Sequence, residues 1–306
     1  MQSSIATSPA PQRRSSALRW KRYLLSYLFI LPSFAFLILF LYTPAVQSFY
    51  YSFTDWDLAS APWVGFENYE RFFADPGIRT AFFNQFIFTL TDIIKAVTFP
   101  LLAAELMYIL PGKRWMYIFR VGFIVPMLVP GTVGLMLWLS IYDPVNGLLN
   151  QLLHVFHLDA LQREWLGDES TAMGSLIMMG FPFVSGLYFL IFYAAIGNFN
   201  SETIEAARID GATGWDVFRK IHLPLLIPSI KVITILTVIG SLSNVLGVLI
   251  LTEGGPGTAT VIPALTMYLA AFNGSEYGFA CAIGTVLFLI ILFLTIINLK
   301  FLKTDY

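Results

Sequence analysis

Six long apolar runs constrain this chain more than any other feature. They lie at about residues 24–44, 82–110, 117–141, 171–197, 224–250 and 278–300. A helix of about 20 apolar residues crosses the hydrocarbon of a bilayer. Because a backbone in lipid must satisfy its own hydrogen bonds, the runs predict an all-α, polytopic membrane protein with six transmembrane helices.

The composition agrees with this class and excludes several others. The 306 residues are 57% hydrophobic and 12% charged, whereas soluble domains carry roughly 25% charged residues. The formal net charge of -1 argues against a nucleic-acid-binding role. Cys281, the one cysteine of the sequence, excludes an intrachain disulfide and a cysteine metal site. His154 and His157 lack a third ligand nearby, so we interpret them as part of a surface helix and predict no metal site.

Basic residues predict the orientation of the chain, because loops rich in Lys and Arg stay in the cytoplasm. With the N-terminus inside, most Lys and Arg residues fall on the cytoplasmic side, and the outer loops receive Arg71, Arg79 and Arg163. The pattern therefore predicts two cytoplasmic termini. The Ser-, Pro- and Gln-rich N-terminus predicts a disordered basic tail at residues 1–22, and the apolar runs that follow predict a membrane domain at residues 23–306.

The stretch EAARIDGATGWDVFRKIHLPLLIP, at residues 205–228, lies between two apolar runs but carries charges and helix-ending residues. Asn200 or Ser201 is suited to cap a helix that contains its first residues. Gly211 is suited to end that helix in the left-handed conformation. The stretch therefore predicts a short helix and a turn rather than a seventh span.

A second short helix is predicted directly after this turn. Thr213 and Asp216 have the spacing of a capping box, and Pro224 is expected to end the helix and start the next span. One face of this helix should carry Trp215, Phe218 and His222. From the residues alone, an amphipathic loop at the membrane interface, anchored by Trp215, is an equal alternative.

The order EAA, DGA, phenylalanine and LP in this stretch resembles the EAA loop of ABC importer permeases, which inserts into a cleft of the ATPase subunit. The resemblance implies a coupling element at residues 199–223. Its predicted ATPase-coupling residues are Glu205, Ala206, Ala207, Asp210, Gly211, Ala212, Trp215, Phe218, Leu223 and Pro224.

Three further stretches resemble the carbohydrate branch of that family. They are VGFENYERFF at 64–73, DPVNGLLNQLL at 143–153 and LTEGGPGTAT at 251–260. The resemblance implies the type I ABC importer permease fold, multi-pass in a bacterial inner membrane, with alternating access. It also implies that the solute is a mono- or oligosaccharide or a related polyol or glycerophosphodiester.

The resemblance also implies the partners of the chain. These are a second homologous permease, two ATP-binding subunits and an extracellular solute-binding protein, with residues 65–69 and 254–256 as candidate docking surfaces outside. The sequence contains no G-x-x-x-x-G-K-[ST] pattern, so ATP and Mg²⁺ are expected on the ATP-binding subunits. We therefore expect a transport subunit with no catalytic residue and no cofactor of its own.

Polar residues within the apolar runs predict a substrate pathway, because unsatisfied polar groups in lipid are costly. Thr234, Thr237, Ser241 and Asn244 have the spacing of one helical stripe, and Gly240 beside them leaves room. Phe181, Ser185, Tyr188 and Phe192 have the spacing of a mixed aromatic and hydroxyl face. Helix–helix packing is the alternative role for any single hydroxyl.

The resemblance adds weight to this pathway. Thr237, Ser241 and Asn244 align with positions that face bound sugar in the family's maltose permeases, where an aromatic residue replaces Gly240. The predicted pathway residues are therefore Thr237, Ser241, Asn244, Ser185, Tyr188 and Phe181.

Asp92 and Lys95, three residues apart in the second run, allow another function. They form either a neutralising pair or a proton or sodium relay, and the relay would make the chain an ion-coupled secondary transporter. A membrane enzyme is the weakest alternative, since no acid, base or metal cluster gathers in one part of the sequence.

Overall fold

The computed structural model describes residues 16–110 and 112–301, and within these ranges it contains sixteen α-helices and no β-strand. The helices are α1 (Ser16–Leu37), α2 (Thr43–Tyr51), α3 (Glu67–Ala74), α4 (Pro76–Ile109), α5 (Lys113–Ile124), α6 (Gly131–Ile141), α7 (Leu148–Val155), α8 (Ala172–Met178), α9 (Gly186–Gly197), α10 (Ser201–Ile209), α11 (Gly214–Val217), α12 (Leu223–Leu225), α13 (Ile227–Ser243), α14 (Leu246–Leu251), α15 (Pro263–Phe272) and α16 (Tyr277–Phe301). The prediction of an all-α protein is confirmed.

The chain divides into two compact units, one ending at Tyr50 and the other beginning at Tyr51. In the first unit, a five-residue π-helical segment, Ile38–Tyr42, joins α1 to α2. The large apolar side chains of this helix are exposed along its described length. Of the predicted tail at 1–22, residues 1–15 lie outside the described residues, and α1 begins at Ser16. Residues 302–306, at the predicted cytoplasmic C-terminus, also lie outside them.

Three helical stretches are long and apolar enough to cross a membrane, namely Ser26–Tyr51, Pro76–Ile109 and Tyr277–Lys300. Two bent pairs reach the same length together. Lys113–Leu128 joins α6 at 95°, and Gly214–Leu225 joins α13 at 62°. The described residues thus hold three candidate spans, or five if each bent pair crosses as one, and the count of six stays a prediction.

Prolines account for both bends. The segment VPMLVPG before α6 contains Pro126 and Pro130, and Pro228 stands in the first turn of α13. A proline has no N–H to donate and clashes with the preceding turn, so sharp helix bends occur at prolines. Apolar length alone predicted these spans, and it could not show the bends.

The prediction of a continuous fourth span at 171–197 is wrong. The chain is helical in α8 and α9, but residues 179–185 between them are not helical. Gly180 and Phe183 there have φ of 82° and 63°, a left-handed backbone that no α-helix contains. The apolar run continues through this break, which is why hydropathy did not reveal it.

The prediction of a continuous fifth span at 224–250 is also wrong. Helix α13 ends at Ser243, Asn244 has an extended backbone with ψ of 115°, and α14 begins at Leu246. The apolar stretch VLGVLI follows Asn244, so this second break also lies inside an apolar run.

The second unit is organised around α4, which packs against both α9 and α13. Ala96, Ala103 and Ala104 of α4 are buried in this contact, and Phe189 and Phe192 of α9 are fully buried beside them. Small side chains let membrane helices approach closely. This packing brings the break before α9 and the break after α13 to the same side of α4.

Candidate functional site

A cavity of about 450 Å³ lies where the two helix breaks face α4. Non-helical backbone at membrane depth is tolerated only where it is buried in protein or lines a water-filled cavity. The two breaks therefore have the setting expected of a solute pathway. The cavity is lined by Asp92, Lys95, Ala96, Met179, Gly180, Phe183, Val184, Ser185, Tyr188, Thr237, Gly240, Ser241 and Asn244.

All but one of the predicted pathway residues line this cavity. Thr237 Oγ1 donates a hydrogen bond to the Tyr188 hydroxyl over 3.3 Å, which joins α13 to α9 across the cavity wall. Gly240 leaves open space, because a Cβ added there would meet no atom within 4 Å. The structure thus brings hydroxyl groups, an amide and an aromatic ring to one surface.

Phe181 is the exception. Its side chain is 63% exposed and lines a separate apolar cavity of about 730 Å³ with Trp138, Leu152 and Trp165. Its predicted helical spacing from Ser185 does not exist, because residues 179–185 are not helical. Phe183 lines the 450 Å³ cavity instead.

Asn244 reaches the cavity by a different route from the predicted helical stripe. It stands at the end of α13, and its Oδ1 accepts a hydrogen bond from the N–H of Leu246 over 3.0 Å. The side chain therefore caps α14 as well as lining the cavity. Helical periodicity predicted the correct surface but the wrong local structure.

Asp92 and Lys95 form the neutralising pair that their spacing predicted. Lys95 Nζ lies 2.8 Å from Asp92 Oδ1 and donates a second hydrogen bond to the carbonyl of Ile177 over 3.1 Å. Ser241 donates to Asp92 Oδ2 over 2.8 Å. The carboxylate is thus held from α4 on one side and from α13 on the other.

A second cavity, of about 230 Å³, adjoins the first at this pair. It shares Asp92, Lys95, Met179, Ser241 and Asn244 with the first cavity and extends to Gln85, two turns earlier on α4. Gln85 Nε2 donates to the Ser241 carbonyl over 3.2 Å, and its buried Oε1 has no partner among the described residues. Sequence reasoning missed Gln85, although an amide within an apolar run was a signal that could have found it.

The coupling element begins as its sequence predicted. Asn200 caps α10, and its side chain accepts a hydrogen bond from the N–H of Glu202 over 2.9 Å. Gly211 follows α10 with a φ of 86°. That left-handed conformation strains any residue with a Cβ, which explains the glycine at this position.

The second short helix also begins as predicted. Thr213 and Asp216 form a reciprocal capping box, and Lys220 Nζ lies 2.7 Å from Asp216 Oδ1. Hydrogen bonds from the side chains of Lys220 and Thr213 hold the pKa of the Asp216 carboxyl well below its usual range. These local contacts therefore help to fix the turn between the two helices.

The end of this helix differs from the prediction. Pro224 does not stop it, because the chain continues from α11 through a π-helical segment, Phe218–His222, into α12. The N–H of Leu223 bonds back to the carbonyl of Phe218, five residues earlier. The wider turn accommodates Pro224, which has no N–H to donate. The break comes at Leu226 instead.

Of the three aromatic residues that were predicted on one face, Trp215 and Phe218 stay together, with ring centroids 5.3 Å apart, whereas His222 packs against Tyr108 and Phe199. Trp215 is 66% exposed, Phe218 is partly buried, and His222 is buried. His222 Nδ1 lies 3.0 Å from both carboxylate oxygens of Glu105 on α4. The element therefore has an exposed tip at Trp215 and a buried attachment at His222.

The predicted coupling residues divide in the same way. Four of them are partly buried, namely Ala207, Ala212, Phe218 and Leu223. The other six are exposed, namely Glu205, Ala206, Asp210, Gly211, Trp215 and Pro224. Of the exposed set, only the aromatic residue Trp215 is of a type that is enriched at protein–protein interfaces. Trp215 is therefore the residue best suited to contact another protein.

Residues 81–302 match the protein family described as binding-protein-dependent transport system inner membrane component. The chain belongs to this family. The prediction of an ABC importer permease is confirmed, and the permease is a membrane protein.

Named relatives extend this similarity over almost the whole permease. It is 34% identical to the probable ABC transporter permease protein YurN of Bacillus subtilis over 92% of this chain and 97% of that protein. It is 28% identical to AmyD of Thermoanaerobacterium thermosulfurigenes, a probable starch degradation products transport system permease, over 89% of this chain and 91% of that one.

A solved structure shows the same fold. The permease superposes with a TM-score of 0.82 and 22% identity on a chain of a bacterial ABC transporter involved in the import of the acidic polysaccharide alginate. The match covers 94% of this permease and 99% of that chain. The two chains therefore share one overall fold.

Two of the sequence stretches that resemble the family each contain a buried asparagine that holds a loop. The buried side chain of Asn68 donates to the carbonyls of Ser52 and Thr54 over 3.0 and 2.9 Å. Asn150 donates to the carbonyl of Arg163 over 3.0 Å and accepts from Trp165 Nε1 over 2.8 Å. Each asparagine thus ties a loop backbone to the helix that carries it.

Proposed function

We propose that this permease forms half of the translocation pathway for a carbohydrate in a binding-protein-dependent ABC importer. The observation that carries the proposal is the 450 Å³ cavity, in which Ser185, Tyr188, Thr237, Ser241 and Asn244 meet beside two helix breaks. Sugars need hydrogen-bond partners and aromatic surface, and such sites are concave with a few placed polar groups. The starch-product relative supports the substrate class.

In the proposed mechanism, two ATP-binding subunits drive alternating access. The element at 199–223 contacts one of them through its exposed tip and transmits closure to the membrane helices as a rigid body. A second homologous permease supplies the other half of the pathway, and an extracellular solute-binding protein delivers the sugar. ATP and Mg²⁺ bind to the ATP-binding subunits. Both termini of the permease lie in the cytoplasm, as the basic residues suggest.

Reconstitution of the complete assembly tests this function. Proteoliposomes that contain both permeases and the ATP-binding subunits, with the binding protein outside, should take up sugar only with ATP inside. Ionophores that dissipate proton and sodium gradients should leave uptake unchanged. Uptake that needs no ATP and stops with the gradient would instead support the ion-coupled transporter built on Asp92 and Lys95.

A further inference from the structure

Charged side chains in the two cavities are balanced. Of the described residues that line them, Asp92 and Lys95 carry formal charge, one of each sign. Ionisable residues within membrane segments are costly to keep and are by default candidates for a function. The pair stands where the two cavities adjoin, so a solute that passes from one cavity to the other passes these side chains.

The two partners differ in how far their hydrogen-bonding capacity is already used. Lys95 donates to Asp92 Oδ1 and to the carbonyl of Ile177, and its ammonium lies 5.6 Å from the centre of the Phe183 ring. Its side chain is 19% exposed, against 35% for Asp92. The ammonium is therefore committed to the protein more fully than the carboxylate.

The Asp92 carboxylate keeps free acceptor sites. Oδ1 accepts from Lys95 and Oδ2 from Ser241, whereas a carboxylate offers about four lone-pair sites. One site on each oxygen remains, so adjacent hydroxyl groups of a sugar match the carboxylate as donors. The carboxylate of an acidic sugar only accepts hydrogen bonds and has none to donate to these sites, so Asp92 favours hydroxyl groups over carboxylates as neighbours.

We infer that Asp92 is a specificity-determining residue that accepts hydrogen bonds from solute hydroxyl groups, with Lys95 and Ser241 as positioning residues, and that the cavity takes neutral rather than acidic carbohydrate. The inference rests on the proposed function, namely that the solute is a carbohydrate. Under this inference, the permease carries a different class of carbohydrate from the alginate importer whose fold it shares.

A panel of neutral gluco-oligosaccharides and uronate oligosaccharides of matched length tests the substrate class. Uptake and sugar-stimulated ATP hydrolysis are measured on the complete assembly in proteoliposomes with its binding protein. Neutral sugars should be carried and uronates should not. Uptake of a uronate would overturn this inference and leave the proposed function intact. If the assembly carries no carbohydrate at all, the proposed function itself fails.

Two variants test the role of Asp92 with the sugar that the wild type carries best. Asp92→Asn should lower uptake about 10- to 100-fold, the effect of losing a hydrogen bond to a charged group. The double variant Asp92→Asn, Lys95→Met leaves no unpaired charge in the membrane, so it should assemble even if the single variant does not. It should remain as defective as Asp92→Asn. Restoration to within about threefold of wild type would show that Asp92 is only the counter-ion of Lys95.

The matched control is Asp159→Asn. Asp159 is also an acidic partner, 2.6 Å from His154 Nδ1 on the exposed surface and away from both cavities. This variant should transport as the wild type does. The amount of permease that copurifies with the ATP-binding subunits is measured for every variant, and the binding protein is identical throughout. Differences in uptake per assembled complex therefore report on the cavity.

Discussion

His222 and Glu105 form a buried contact that joins the proposed coupling element to α4. His222 Nδ1 lies 3.0 Å from each carboxylate oxygen, and the two side chains are 1% and 9% exposed. The rings of Tyr108 and Phe199 pack against the imidazole. Asp92 lies on the same helix, about 20 Å from Glu105 at 1.5 Å per residue. One continuous helix thus connects the proposed coupling element to the cavity.

Removing the Glu105 carboxylate should uncouple the proposed coupling element from the cavity. Glu105→Ala leaves the buried His222 ring without its partner, which costs about 1–3 kcal/mol. We expect sugar uptake to fall while ATP hydrolysis by the assembly continues. Glu105→Gln keeps a carbonyl acceptor and should retain more transport. The measurement is the amount of sugar transported per ATP hydrolysed in proteoliposomes.

Glu164→Gln is the control for this prediction, because Glu164 is an exposed acid outside the proposed coupling element at 199–223. It should leave the ratio of transport to hydrolysis unchanged. A normal ratio in Glu105→Ala, with the complex fully assembled, would show that the buried contact has no part in coupling.

Local features of this molecule could be predicted from sequence and long-range features could not. The caps at Asn200, Gly211 and Thr213 were correct, because each depends on residues within one or two turns. The contact between Glu105 and His222 joins residues far apart in the chain. The position of an acid in an apolar run does not indicate which residue it will contact. Hydropathy likewise showed membrane runs but not the breaks in them.

The same difference between local and long-range features holds for the cavity. Ser185, Tyr188 and Thr237 line the cavity, as expected if polar groups in membrane segments face protein or water rather than lipid, and their contact with a solute stays a prediction. Phe181 lies outside this cavity because its expected placement depended on a helix that is interrupted. Gln85 was missed because it lies on another helix, and only the packing of α4 against α13 brings it to Ser241.

Gly211→Pro should disrupt the turn of the coupling element. Proline requires φ near -65°, whereas Gly211 has φ of 86°, and its N–H bonds to the carbonyl of Arg208 over 3.1 Å. We expect ATP hydrolysis that no longer drives uptake, with part of the assembly retained. Gly197→Ala, at the end of α9 where an added Cβ meets nothing within 4 Å, is the control. Wild-type transport by Gly211→Pro would refute the coupling role of this turn.

Enlarging Gly240 should block the cavity without disturbing the fold. The position faces open space and lines the 450 Å³ cavity. Gly240→Trp would place a large side chain in that space, so we expect uptake to fall by at least about tenfold, which corresponds to 1.4 kcal/mol. Gly240→Ala, which adds one methyl group, should transport nearly normally. Copurification with the ATP-binding subunits monitors assembly, and unimpaired uptake by Gly240→Trp would place the pathway elsewhere.

Substitutions at Asn244 separate its two roles. Its side chain caps α14 at Leu246 and also lines the cavity. Asn244→Ala removes both roles, whereas Asn244→Ser keeps a capping oxygen but loses the amide. We expect both variants to bind the ATP-binding subunits normally and both to show weaker uptake, with a higher sugar concentration needed for half-maximal rate. If Asn244→Ser transports like the wild type, the side chain acts only as a helix cap, because the amide itself then makes no contribution to the solute.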